Sequence, residues 1–241
     1  MAYTWSHAID NQSEPLAGEF LNFNFLPAAT LIPRLSSFTT QFDSQGDRAS
    51  ADFDQRHNLV FYSLLNVPAA FQESRFAGFL RNWQISWLGA VRSGFPFSVY
   101  SDRPDFNNRA ELIRPEKVNP NVPIPGGKLL LDRSAFDSAP TGQVGNTGRN
   151  AFQGPGLFNI DLSVARSFAL PKFRENARLT VRADAYNFLN HANLNNPVSY
   201  LGDNSFGEAS YGRQEQNSGF PLLTPLTETA RLVQLMLRLQ F

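Results

Sequence analysis

Arg231-Leu232-Val233-Gln234-Leu235-Met236-Leu237-Arg238-Leu239-Gln240-Phe241 alternates along its length. Val233, Leu235, Leu237, Leu239 and Phe241 fall on one side, and Gln234, Arg238 and Gln240 on the other. A period of two is the mark of a strand with one apolar and one polar face. A tilted strand of about ten residues crosses a bilayer. The stretch therefore predicts a transmembrane β-strand.

The same pattern recurs upstream. In Leu157–Ser167, Phe158, Ile160, Leu162 and Val164 oppose Asn159, Asp161, Ser163, Ala165 and Ser167. In Ala177–Phe188, Leu179, Val181, Ala183 and Ala185 oppose Arg178, Thr180, Arg182 and Asp184. Trp83–Ser93 sets Trp83, Ile85, Trp87 and Val91 against Gln84, Ser86 and Arg92. His57–Val67 is apolar on both faces, and Ala2–Ile9 reads as a short strand. The expected strands are thus residues 2–9, 57–67, 83–93, 157–167, 177–188 and 231–241.

The connections alternate in length. Asp10–Arg56, Gly94–Gly156 and Leu189–Ala230 are long; Pro68–Asn82 and Phe168–Asn176 are short. Compact soluble domains seldom hold several loops of more than about 15 residues. Outer-membrane barrels keep short turns on the periplasmic side and long loops outside. If Phe241 ends in the periplasm, every long loop falls outside. The long loops carry turn chemistry, with Pro115, Pro120, Pro123, Pro125, Gly126 and Gly127 in one and Gly202, Asp203, Asn204, Gly207, Gly212 and Gly219 in another.

Composition agrees with a barrel. Phenylalanine is in excess, with 22 copies against 6 Tyr and 3 Trp, and aromatics favour strands and form interfacial girdles. Mean hydropathy is slightly negative, as a polar lumen face allows. No apolar run reaches the ~18 residues of a transmembrane helix. Formal net charge is zero, so nothing points to nucleic acid. The chain has no cysteine, which removes disulfides and thiolate metal sites. The expected fold is all-β: an antiparallel up-and-down transmembrane β-barrel segment of about six strands with long extracellular loops. Its 241 residues form one barrel portion. Six strands fall short of the usual minimum of about eight, so the barrel is expected to be incomplete.

No motif predicts catalysis, a cofactor or a metal. His7, His57 and His191 lack the i, i+4 spacing of a helical zinc pair. Asp52, Asp54, Arg56 and His57 form a polar knot before a strand, expected to be a solvated loop bonding its own backbone. Gly145-Asn146-Thr147-Gly148-Arg149-Asn150 and Gly154-Pro155-Gly156 lack the ending of a phosphate-binding loop and precede a strand. Their glycines and asparagines are expected to take left-handed conformations that fold the loop over the barrel rim. Arg178, Arg182, Asp184 and Arg238 are candidates for the lumen face, where a ladder pairing across strands is expected. Val233, Leu235, Leu237, Leu239 and Phe241 form a candidate assembly signal, read by the outer-membrane barrel assembly machinery through strand addition.

Several segments also resemble a known family. They are Asp52-Phe53-Asp54-Gln55-Arg56-His57, Asn82-Trp83-Gln84-Ile85-Ser86 and Ser93-Gly94-Phe95-Pro96-Phe97-Ser98; then the two glycine-bearing stretches above, Asn159-Ile160-Asp161-Leu162-Ser163 and Arg182-Ala183-Asp184-Ala185-Tyr186-Asn187-Phe188-Leu189-Asn190-His191. In order, and with the terminal strand, they resemble the C-terminal barrel of Oar-like TonB-dependent receptors. The resemblance implies a Gram-negative outer membrane, lipid around the wall and energy from the TonB complex. No signal peptide, TonB box or plug is recognisable, and the strands number about a quarter of the 22 in large transporters. The chain is therefore expected to be a transporter fragment that meets TonB only through an N-terminal region it lacks. The ligand is unknown. A standalone pore, a strand-sharing oligomer and a soluble lipocalin-like carrier are the alternatives.

Overall fold

The computed structural model describes residues 1–11, 13, 44–67, 81–102, 109–171, 177–212 and 230–241. Most of both expected short turns lies outside these residues, as do Gly219 and parts of the loops Asp10–Arg56 and Leu189–Ala230.

Six strands form one antiparallel wall: β1 (Ala2–Trp5), β2 (His57–Asn66), β3 (Trp83–Arg92), β4 (Leu157–Ala169), β5 (Arg178–Tyr186) and β6 (Leu232–Gln240). Their order in the sheet is their order in the chain. From β2 to β6 they run 10, 10, 13, 9 and 9 residues. That is the length of a tilted membrane-crossing strand. β1 pairs only with β2, and β6 only with β5, so the sheet stays open among the described residues.

The register carries the alternation from strand to strand. Leu162 faces both Trp87 and Ala185, Val181 faces Leu237, and Val91 faces both Leu59 and Phe158. Directly opposed residues share a face, so these apolar side chains build one continuous surface. The other surface holds Ser163 opposite Asp184, Ser167 opposite Thr180, and Thr180 opposite Arg238. A slip of one residue in β4 or β5 would mix the two surfaces.

Strand ends differ from expectation for local reasons. β1 stops at Trp5 because its ladder gives way just beyond: Ser6 N–H still reaches the Arg56 carbonyl, but Ala8 N–H takes the Asp54 carboxylate in place of a backbone partner. Ile9–Asp10 then pairs separately with Ala49–Ser50. β5 ends at Tyr186, because Asn187 takes a left-handed conformation (φ 46°). Its side chain closes the turn, donating to the His191 carbonyl and accepting from the His191 N–H.

The long connections hold a structure of their own. Phe97, Val99, Ala110, Leu131, Ala135, Phe136, Leu201 and Phe206 form a buried core built wholly from the β3–β4 and β5–β6 connections. Phe136 meets Phe152 and Phe206 edge-on at 5.6 and 5.8 Å, and Phe97 stacks on Phe152 at 5.7 Å. Short strands run through this body: Glu111–Leu112 with Phe136–Asp137, Pro96–Phe97 with Phe152–Gln153, and Val122–Ile124, Gly127–Leu129 and Glu208–Ser210 as a three-stranded sheet. We refer to it as the cap. The packed hydrophobic core thus lies in the cap, and the wall is one layer thick.

Candidate functional site

All three long connections leave the wall at one end, where Trp5 pairs His57, Arg92 pairs Leu157 and Tyr186 pairs Leu232. The cap is tied to this end by asparagine. Asn193 accepts from Phe158 N–H at 2.9 Å and donates to the Phe158 carbonyl at 3.1 Å. It thereby stands in for a neighbouring strand at the start of β4, where β5 does not reach. Asp161 on the polar face accepts from Asn187 N–H at 2.8 Å.

A buried charged knot holds the first connection to the second. Arg149 donates to Asp10 at 2.7 Å, to Ser13 at 2.8 Å and to Asp52 at 3.1 Å. Asn150 donates to the same Asp52 oxygen at 2.6 Å. Asp52 is 0% exposed. Burial pushes its carboxyl above the ordinary 3.8, outweighing the Asn150 bond and the Arg149 charge. Beside it, the buried Asp54 takes Ala8 N–H and approaches Arg56 at 3.5 Å and His7 at 3.7 Å. Arg109 and Asp47 form a second buried pair at 2.5 Å. The expected solvated loop is therefore corrected for Asp52 and Asp54, which lie inside a clasp between connections. His57 instead stands at the wall, its Nδ1 at 2.9 Å from the Tyr3 hydroxyl.

The glycine-bearing segment also differs from expectation. Of its residues, Asn150 alone has a positive φ, 50°. Gly154 is needed for space. A Cβ there would strike the Asn196 amide, and a Cβ on Gly94 would strike the Gly154 carbonyl. Two backbones cross where no side chain fits.

The cap holds a cleft of about 400 Å³. Asn195, Asn196, Ser205, Glu208 and Ser210 supply polar groups, and Ile124, Pro125 and Val198 supply apolar contacts. Its lining is about equally polar and apolar, which suits a small polar ligand better than an apolar one. At the opposite end, the polar face forms a trough of about 520 Å³ with Asn66, Gln84, Ser167, Arg178 and Thr180 in its lining.

Each candidate from the sequence has a definite place. Arg178, Arg182, Asp184 and Arg238 share the polar face of β5 and β6. The ion pair there, Arg182 to Asp184 at 2.7 Å, runs along β5. Across the strands, the Ser167 and Thr180 hydroxyls meet at 2.9 Å and Ser163 hydrogen-bonds Asp184. Val233, Leu235, Leu237 and Leu239 lie on the apolar face of β6, with Leu235 77% exposed, and Phe241 follows its end at 79%. Arg149, Asp10, Asn193 and the Arg109–Asp47 pair were not singled out as functional; Arg149 and Asp10 are 139 residues apart, and no local spacing announces such a contact.

A wall of bilayer-length strands, apolar on one surface and polar on the other, is barrel architecture. The outer membrane beta barrel domain family matches residues 1–234. This chain belongs to that family. As an outer-membrane barrel protein it resides in the outer membrane, with its continuous apolar surface turned to lipid. That location sets aside the soluble carrier. The polar surface of the barrel wall then faces the lumen. No curated protein and no solved structure matches the chain.

Proposed function

We propose that this chain supplies C-terminal wall strands and the ligand-contacting extracellular cap of an Oar-like TonB-dependent transporter. One observation carries the reading: the long connections of one wall end fold into a single cored body containing a cleft. A pore needs only a wall, whereas a receptor needs a rigid surface above it. In this reading the cap faces the medium, the short turns face the periplasm, and no reaction is catalysed. Outer-membrane lipid surrounds the wall, and the barrel assembly machinery inserts it. None of these 241 residues is assigned to TonB contact, which falls to a further region of the transporter.

Val144 is exposed in the cap, and the chain has no cysteine. In native cells carrying Val144→Cys, a membrane-impermeant maleimide should label the protein without lysis. The native product should also co-isolate with the periplasmic domain of TonB. Labelling without TonB would leave an outer-membrane pore as the function. Labelling only after lysis would reverse the orientation.

A further inference from the structure

The register sorts the charged residues of the wall. Arg92, Asp161, Arg178, Arg182, Asp184 and Arg238 all take lumen positions. Arg166 alone takes a lipid-facing one, in the row of Leu162, Val164 and Phe168. Its direct neighbours across the sheet are Trp83 and Val181. A guanidinium on a lipid-facing surface is costly at the bilayer midplane and nearly neutral close to the interface. The position of Arg166 therefore decides its meaning.

It lies near the interface. Arg166 pairs with the first residue of β3 and stands three residues before the end of β4. At ~3.3 Å per residue this is about 10 Å along the strand from its end. An arginine side chain can extend over much of that distance toward water. The guanidinium carbon sits 5.3 Å from the Trp83 ring centre and 4.7 Å from that of Phe168. Both distances are within cation–π range. Two rings thus hold the cation on the outward surface, at the level where aromatic girdles meet headgroups.

We propose that Arg166, held by Trp83 and Phe168, binds the phosphate of a glycerophospholipid in the leaflet facing the short turns. The guanidinium fork matches phosphate oxygens in pairs. Its five N–H donors allow a protein acceptor and a lipid phosphate to be served together. The site fixes the depth of β4 in the membrane and marks one rim of the wall. The leaflet is the inner one if the orientation given under Proposed function holds; the phosphate contact itself does not depend on it.

The test uses the full chain with ¹⁵N-labelled arginine, inserted in bilayers of phosphatidylethanolamine and phosphatidylglycerol in phosphate-free buffer. Solid-state NMR then reads dephasing of guanidinium nitrogen by lipid phosphorus. Dephasing should be present in the unaltered chain and lost in Arg166→Gln. In Arg166→Lys with ¹⁵N-lysine it should move to the lysine signal, which keeps the test valid if the glutamine variant does not insert. Dephasing unchanged in Arg166→Gln, or absent from inserted protein, overturns the proposal. Dephasing seen only when lipid A is the sole phosphate source overturns the assignment to glycerophospholipid. Maleimide labelling of Val144→Cys reports orientation separately, so a reversed barrel and an empty phosphate site give different results.

Discussion

Asp52 and Arg149 show how residues outside the wall strands can govern the loops. The pair is buried and shares its carboxylate with Asn150. Removing one partner of a buried pair leaves an uncompensated charge and costs about 3–5 kcal/mol. Arg149→Met should therefore destabilise the cap by that amount at neutral pH, read by urea unfolding followed through near-UV circular dichroism. The pH dependence has a definite sign. Burial raises the folded pKa of Asp52 above 3.8, so the folded state binds the proton more tightly. Its contribution to stability is fully present below 3.8 and is lost as pH rises through the folded value. Removing the Arg149 charge raises the folded value further and moves that loss to higher pH. Asp52→Asn should abolish this component. A cap equally stable in the unaltered chain and in Arg149→Met at both pH 4 and pH 7, as order-of-magnitude test points, would sink the argument.

At the scale of the element, the wall strands make opposite demands on adjacent residues. Leu235 and Met236 are neighbours near the middle of β6, on the lipid and lumen faces respectively. Leu235→Arg should cost about 2–4 kcal/mol and reduce insertion, because the charge meets hydrocarbon. Met236→Arg should insert nearly normally, because it joins Gln234 and Arg238 on the polar face. Heat-modifiable gel migration distinguishes the two, and equal losses would mean that the faces are misassigned. Deleting Phe241 tests the end of the same strand. Assembly should fall because the residue offered to the insertion machinery is gone; normal yield of folded protein in the outer membrane would remove that role. The element scale is also where the sequence was most informative. Period-two alternation is plain in β3, β4, β5 and β6, since each presents one face to lipid and one to the lumen, whereas β2 is apolar on both faces and β1 is short. Boundaries were less visible, because they depend on single turn residues such as Asn187 and on contacts such as Ala8 with Asp54.

For the molecule as a whole, two bodies fold by different rules. The wall is held by backbone ladders and by lipid, and its pattern is local. The cap is held by a conventional core whose strands are only two or three residues long. Its partners meet across long separations, as Tyr100 and Tyr200 do in a parallel bridge. Periodicity has too few residues to act on there, so the cap and its cleft were not legible in advance. This division predicts that the bodies fail separately. Phe136 is nearly buried and touches Phe152 and Phe206, joining two connections. Phe136→Ala should cost the cap about 3–5 kcal/mol through lost burial and a cavity. The wall contains no part of that core, so its insertion should be unchanged. Added protease should then cut the cap of the variant on intact cells much faster than that of the unaltered chain, while heat-modifiable migration of the wall stays the same. Loss of both together would show that cap and wall form one cooperative unit. The cap would then be a brace for the barrel, and the case for a separately folded ligand platform would fall with it.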